Sequence, residues 1–251
     1  MKIKLIEYTK NAMELLVFSK KTRLTMTGDT WEDVIKLPEE EKLKELRYVF
    51  GTIGSSWEFV SYTFMIEGVT RAFTHQLVRH RVGVSFAQQA MRVVDASDFE
   101  YLATGMAKEN VHYHAGMEVI KMAYGDMIHE KVPPQDARGV LPTNILTNIL
   151  VKINLRALSE MLSIRLCVKA QGEFQDVARA LRAETIKVHP WAEPILQVRC
   201  ALSGSCAFPG YDECPIKKVG LLSQPNIEAI KDYWEKNRAE AQPVGIKTKE
   251  L

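Results

Sequence analysis

Apolar positions along this chain change period several times, and each change marks an element. Residues 2–8 alternate as a first strand, and residues 11–23 follow a helical period before a polar stretch at 25–29. Pro38 followed by Glu39, Glu40 and Glu41 opens a charged helix, proline sitting where its missing N–H does no harm. Residues 59–66 are rich in β-branched and aromatic side chains and predict a strand that Gly68 closes. The period then lengthens. Ala72, Phe73, Gln76, Leu77 and His80 share a helical face leading into Arg79-His80-Arg81. Helix is predicted over 110–130, is interrupted by Val132-Pro133-Pro134-Gln135-Asp136 and resumes near Ala137. Residues 143–172 read as helix, and 174–187 as a further helix stopped by His189-Pro190. The charged tail beyond Lys236 has no apolar face and is expected to fray.

Composition narrows the class. With 46% hydrophobic and 25% charged residues among 251, the chain can bury one sizeable core. No Gly/Ser linker, repeat or low-complexity tract divides it, so one domain over 1–198 with an extension over 199–251 is expected. A net charge of +2 is too small to argue for nucleic acid or a membrane surface, and the basic residues are not interleaved with aromatics. The charged start lacks a signal-peptide core, and nothing approaches the roughly 20 apolar residues of a membrane span. No membrane or nucleic-acid partner is therefore expected, and the cytoplasm is the default location.

Arg79, Arg81 and Arg92 fall within one short segment and suit an anionic ligand, because guanidinium forks pair bidentately with phosphate at every relevant pH. The bland alternative is a solvated basic helix end. On a helix, Gln76 lies one turn before Arg79, which would set an amide able to read a base edge beside a phosphate-binding fork. His80 alone is an ordinary partly buried histidine. Farther on, helical spacing puts Asn154, Leu158, Met161, Leu162, Arg165 and Lys169 on one face, so a charge continues an apolar stripe. A buried guanidinium needs partners, and Arg165 is expected to meet an anion or carbonyl in a semi-enclosed site or else to snorkel outward. Arg156 and Glu160 lie at i, i+4 on the opposite face as an exposed pair or an interface pair. Arg138 is uninformative taken singly.

These residues, taken in order, resemble the flavin-dependent thymidylate synthases, whose motif is an Arg-His-Arg followed by Ser, Glu, Ser and a final Arg. Trp57-Glu58, Gln76 to Arg81, Arg92, Ala137-Arg138 through Leu141-Pro142, Asn154 to Arg165, Gln171 with Glu173, and His189-Pro190-Trp191 recur in the family's order. An ordered set of this kind is far more specific than a lone Arg-His-Arg. The resemblance implies an α+β fold, an antiparallel sheet flanked by long helices, assembled as a homotetramer. It implies FAD as cofactor and methylation of dUMP at C5, with methylenetetrahydrofolate as carbon donor and NADPH as reductant. Carried over by position, it places Ser55, Arg79, His80, Arg81, Gln88, Asn154, Arg156, Glu160 and Lys169 at the flavin. It places Gln76, Arg79, Gln88, Ala90, Arg92, Arg138 and Arg165 at the nucleotide, with Arg165 as the catalytic residue.

The chain also departs from the family pattern. One extra residue lies between Arg81 and Ser85, Gln88 stands for Glu, Ala90 for Ser, Glu160 for Asn and Lys169 for His. Gln for Glu removes a charge and a proton acceptor, and Ala for Ser removes a hydroxyl. Two rivals follow: C5 methylation or hydroxymethylation of another pyrimidine nucleotide, and a flavin- and nucleotide-binding protein without turnover.

Cys200, Cys206 and Cys214 fit no standard zinc spacing, and Cys167 stands apart from them. Three thiols plus a distant histidine such as His189 could close a tetrahedral metal or cluster site, which is the alternative to unligated thiols; no metal is assigned. His112 and His114, at i, i+2, point apart on a helix and are expected at the surface.

Overall fold

The computed structural model describes residues 1–24, 30–52 and 54–214. The polar stretch 25–29 and the tail beyond Lys236 lie outside these. The fold is α+β, as expected, built on a four-stranded antiparallel sheet in the order β1-β2-β4-β3. Its strands are β1 (Lys2–Tyr8), β2 (Ser61–Thr70), β3 (Val84–Gln88) and β4 (Leu146–Asn154). Helices α1 (Ala12–Leu24), α2 (Trp31–Lys36) and α3 (Glu39–Phe50) follow β1. The short α4 (Arg71–Leu77) follows β2 directly, α5 (Val111–His129) and α6 (Pro134–Ala137) separate β3 from β4, and α7 (Leu155–Arg165), α8 (Gly172–Val188) and α9 (Arg199–Ser203) complete the chain.

Alternation decides which face of the sheet is dry. Tyr62, Phe64 and Ile66 of β2 and Ile149, Val151 and Ile153 of β4 are fully buried and pack with Leu16 of α1, Leu158 and Leu162 of α7 and Phe174, Val177 and Leu181 of α8. Burying each such side chain contributes roughly 1.5–3 kcal/mol, so this face is the main source of stability. The opposite face carries Leu150 and Lys152, both exposed.

Residues 143–172, read above as one helix, are instead strand β4 followed by α7. Thr147, Ile149, Val151 and Ile153 alternate with outward-facing residues, and this β-branched run pairs with β2 on one side and β3 on the other. The change of period falls at Asn154, whose side chain accepts from Ala157 N at 2.8 Å and caps α7. Strand β3 emerges inside the arginine-rich segment, where no strand was expected; its pairing with β4 supplies what its own short sequence lacks. Gly68 does not end β2: it occupies a bulge at φ +65°, after which the strand runs on to Thr70. The helix anticipated near Ala137 is one that ends there and tightens into a 3-10 turn over Arg138–Val140.

Within the extension, α9 packs against α7, and Cys200 and Cys214 share a small second core with Val198 and Ala201. Among the described residues, no helix is long and apolar enough to cross a membrane.

Candidate functional site

Three elements converge where α4 ends, α7 ends and α8 begins. Thr70 closes β2 and caps α4, its hydroxyl accepting from Phe73 N at 3.0 Å. The buried carboxylate of Glu173, in the first turn of α8, accepts from Thr70 N at 2.7 Å and from the Thr70 hydroxyl at 2.5 Å. This joint holds α4 against α8 and so positions Gln76 on one and Gln171 and Phe174 beside the other. Gln76 Nε2 donates to Gln171 Oε1 at 2.5 Å, and its Oε1 accepts from Arg165 Nη1 at 3.4 Å. The Arg165 guanidinium lies over the Phe174 ring, 4.3 Å from its centroid, and His80 presents its ring edge-on to the same phenyl.

The electrostatics of this cluster follow from partial burial. Burial lowers the pKa of Arg165 from its ordinary value. His80 is held below its usual range by burial first and by the Arg165 charge second, against a smaller opposing effect of Glu160. Both of the leading effects disfavour the protonated ring. Two buried nitrogens here, His80 Nε2 and Arg165 Nε, have no hydrogen-bond partner among the described residues. A half-buried cation short of acceptors fits a planar, oxygen-bearing anionic ligand.

The α4 helix stops at Leu77, so Gln76 and Arg79 do not share a helical face as expected. Arg79 N donates to Gln76 O across a turn, and Arg79 is thrown outward. That turn ends at Gly83, whose φ of +71° and closeness to Asn154 both require glycine: a Cβ there would fall 2.3 Å from Asn154 Nδ2. Asn154 N donates to Gly83 O at 2.9 Å, which ties the start of β3 to the head of α7. On β3, Gln88 Nε2 donates to Thr74 Oγ1 at 2.9 Å.

A concavity of about 390 Å3 opens where β2 passes into α4, lined by residues that include Gly68, Arg71, Gln89, Ala90, Phe99 and Asn148. Arg71 Nη2 donates to Gln89 O at 2.6 Å, and burial, then the nearby Arg138, lowers its pKa. Arg79, Arg81, Arg92 and Arg138 are exposed and enter no ion pair or side-chain hydrogen bond among the described residues. Exposed guanidiniums outside any ion pair suit phosphate. At the head of α7, Arg156 pairs with Glu58 at 2.7 Å and Glu160 at 3.2 Å; those bonds raise its pKa, Glu58 first. Ser55 is exposed in the neighbouring 3-10 turn (Gly54–Phe59).

The structure thus gathers Gln76, His80 and Arg165, and separately Asn154, Arg156 and Glu160, whereas Ala90 lines the concavity and the Arg138 charge lies near Arg71. It does not bring Lys169 to Arg165: helix α7 has ended, and the Lys169 ammonium lies 3.9 Å from the Tyr211 ring centroid. Phe174, Arg71 and Thr74 were missed. Nothing in their spacing marks them, because each acts through a residue distant in sequence. His189 is no candidate partner for the cysteines. Its Nδ1 meets the Tyr62 hydroxyl at 2.9 Å, its ring packs near Trp191, and burial pushes its pKa down to about 4. His114 is not a free surface residue either: it is half-buried, bonded to the Tyr101 hydroxyl at 2.6 Å and to Lys108 O at 2.8 Å, while His112 is exposed.

The family described as thymidylate synthase complementing protein matches residues 4–191. A flavin-dependent thymidylate synthase of Sulfurisphaera tokodaii is 32% identical over 237 residues, covering 92% of this chain and 89% of its own. One from Pyrococcus furiosus is 32% identical over 221 residues, covering 82% and 88%. A crystal structure of thymidylate synthase X from Helicobacter pylori with FAD and dUMP aligns with a TM-score of 0.61 at 22% identity, over 78% of this chain and 99% of that one, a likeness of fold.

Proposed function

This chain belongs to the flavin-dependent thymidylate synthase (thymidylate synthase complementing protein) family, and from that premise we propose that it methylates dUMP at C5 to give dTMP. Methylenetetrahydrofolate provides the carbon and NADPH the two electrons that take a methylene to a methyl group. FAD, when bound, supplies the redox chemistry. The observation that carries the reading is the Gln76–His80–Arg165–Phe174 cluster, with two nitrogens unpartnered among the described residues, inside the region the family spans.

In this reading Gln76 orients the uracil edge and Arg165 neutralises negative charge that develops on the ring. A fixed cation acts where charge appears along the reaction path, which is where stabilisation accelerates a reaction. Arg79, Arg92 and Arg138 take the phosphate, with Gln88 and Ala90 forming the adjacent wall. In the same reading Ser55, His80, Arg81, Asn154, Arg156 and Glu160 would hold the flavin. Lys169, held on Tyr211, would need to leave that ring to join them.

We also propose that the site is completed in a homotetramer over residues 1–198. The uncovered sheet face and the long helix α5, of which only Tyr124 is buried, are the surfaces that assembly would cover. Light scattering of the purified chain tests this, and a monomer that turns over would overturn it.

The decisive experiment reduces the purified protein anaerobically with NADPH, adds dUMP and methylenetetrahydrofolate, and weighs the nucleotide. A gain of one methyl establishes the reaction. A hydroxymethyl product, or product with UMP and none with dUMP, would redirect the assignment to another C5 modification, and bound flavin with no product from either would leave a binding protein.

A further inference from the structure

Every cysteine in the chain, Cys167, Cys200, Cys206 and Cys214, falls in one small cluster at the far end of α7. Cys200 and Cys214 are buried in it beside Val198 and Ala201, and Cys167 and Cys206 pack on its rim with Leu166, Val168 and Tyr211. Cys167 comes from the exit of α7, and the other three from the segment beyond α8. Their meeting is therefore produced by the fold and not by local spacing.

Packing alone accounts for an isolated buried thiol, which behaves as a small hydrophobe. It does not account for gathering all of them while every one stays free of a disulfide. The backbone N–H of Phe208 points at Cys206 Sγ at 3.3 Å, a donor two residues on that steadies sulfur carrying negative charge. Lys169 brings a cation to the Tyr211 edge of the same cluster. Cys214 is followed in sequence by Pro215, as the last ligand of some iron–sulfur runs is. As the side chains lie, no three potential ligands among the described residues close on a common centre. A final contraction would accompany binding, as it does where metal uptake and folding are coupled.

We propose that Cys167, Cys200, Cys206 and Cys214 hold a thiophilic metal centre, a zinc ion or an iron–sulfur cluster, that fastens segment 199–214 to the end of the Arg165 helix. Each thiol releases its proton to solvent as its Sγ–metal bond forms. No electrons change hands on zinc binding, and an iron–sulfur cluster brings its own iron and sulfide. Cys167 supplies the fourth ligand in place of His189, whose Nδ1 meets the Tyr62 hydroxyl.

The test is made on the full chain, purified without oxygen from cells supplied with zinc and iron. Metal is counted by plasma mass spectrometry, sulfide by acid release, and free thiols by alkylation before and after denaturation in chelator. About one zinc per chain without sulfide, or about four iron with matching sulfide and a brown chromophore, is the expected result, and the two differ in colour and sulfide. Four thiols should then become alkylatable only after the metal is removed, and Cys206→Ser and Cys214→Ser should each lose the metal. Metal-free protein with four alkylatable thiols, or with the cysteines joined in disulfides, would overturn the proposal. The stoichiometry of the unmutated chain decides the matter by itself, so a variant that fails to fold leaves the test intact.

Discussion

Arg165 and Phe174 face each other across the gap between α7 and α8, with the guanidinium 4.3 Å from the ring centroid. The ring fixes the plane of the fork from one side and leaves Nε without a partner among the described residues. A lysine in its place offers neither the plane nor the paired donors. Arg165→Ala is expected to lower turnover about 100- to 1,000-fold, the scale of losing one positioned donor at a developing anion. Arg165→Lys should recover little of it. Both variants should keep their FAD content, measured from the flavin spectrum, and lose dUMP-dependent reoxidation of reduced flavin.

Gly83→Ala tests the turn that ends the Arg-His-Arg segment. The added methyl meets Asn154 at 2.3 Å in a backbone region costly for L-residues by roughly 1–2 kcal/mol before any clash. The expected outcome is loss of bound FAD together with a lower denaturation midpoint. Retained flavin at unchanged stability would show that this turn does not organise the cofactor side.

Removing the Glu173 carboxylate should act on stability first. It leaves the buried Thr70 amide unpaired, a loss of about 2–3 kcal/mol for Glu173→Ala. Urea titration measures it, and an unchanged midpoint would remove Glu173 from the account of how α4 is held.

Acid sensitivity should come in part from His189. Its folded pKa lies near 4, below the ordinary 6.5, so the folded state resists a proton that the unfolded chain accepts. Its contribution is whole above about pH 6.5 and is lost as pH falls toward 4. His80, shifted in the same direction, adds to the effect. Denaturation midpoints should therefore fall between pH 7 and pH 4, and His189→Gln should flatten that slope while lowering stability at pH 7. An equal slope in the variant would assign the acid sensitivity elsewhere.

What the sequence disclosed depended on how local each signal was. Strand β1 and helices α1, α5 and α8 declared themselves by period, since every residue that sets their pattern lies within the element. Strand β4 did not, although its β-branched alternation is plain once its partners are known; the helical run after Asn154 extended backward over it. Strand β3 is short and exists because β4 lies beside it. The same rule governed the site. Arg165 stood out because a charge ended an apolar stripe, whereas Phe174 gains its place only when α7 and α8 meet, and Thr74 only when α4 meets β3. Lys169 shared the stripe on paper and left it in space, because α7 stops at Arg165.

Asn154 is both the last residue of β4 and the cap of α7, so no loop separates the sheet from the helix that carries Arg165. That helix behaves as a lever about 16 Å long pivoted at Asn154. A tilt of some four degrees at the pivot would carry the guanidinium roughly 1 Å, enough to cost about 100-fold in rate where geometry is demanding. Its far end is not free: Leu166 packs into both the main core and the cysteine cluster. Damage far from the nucleotide, at the pivot or at the thiols, should therefore surface as a catalytic defect before it surfaces as unfolding.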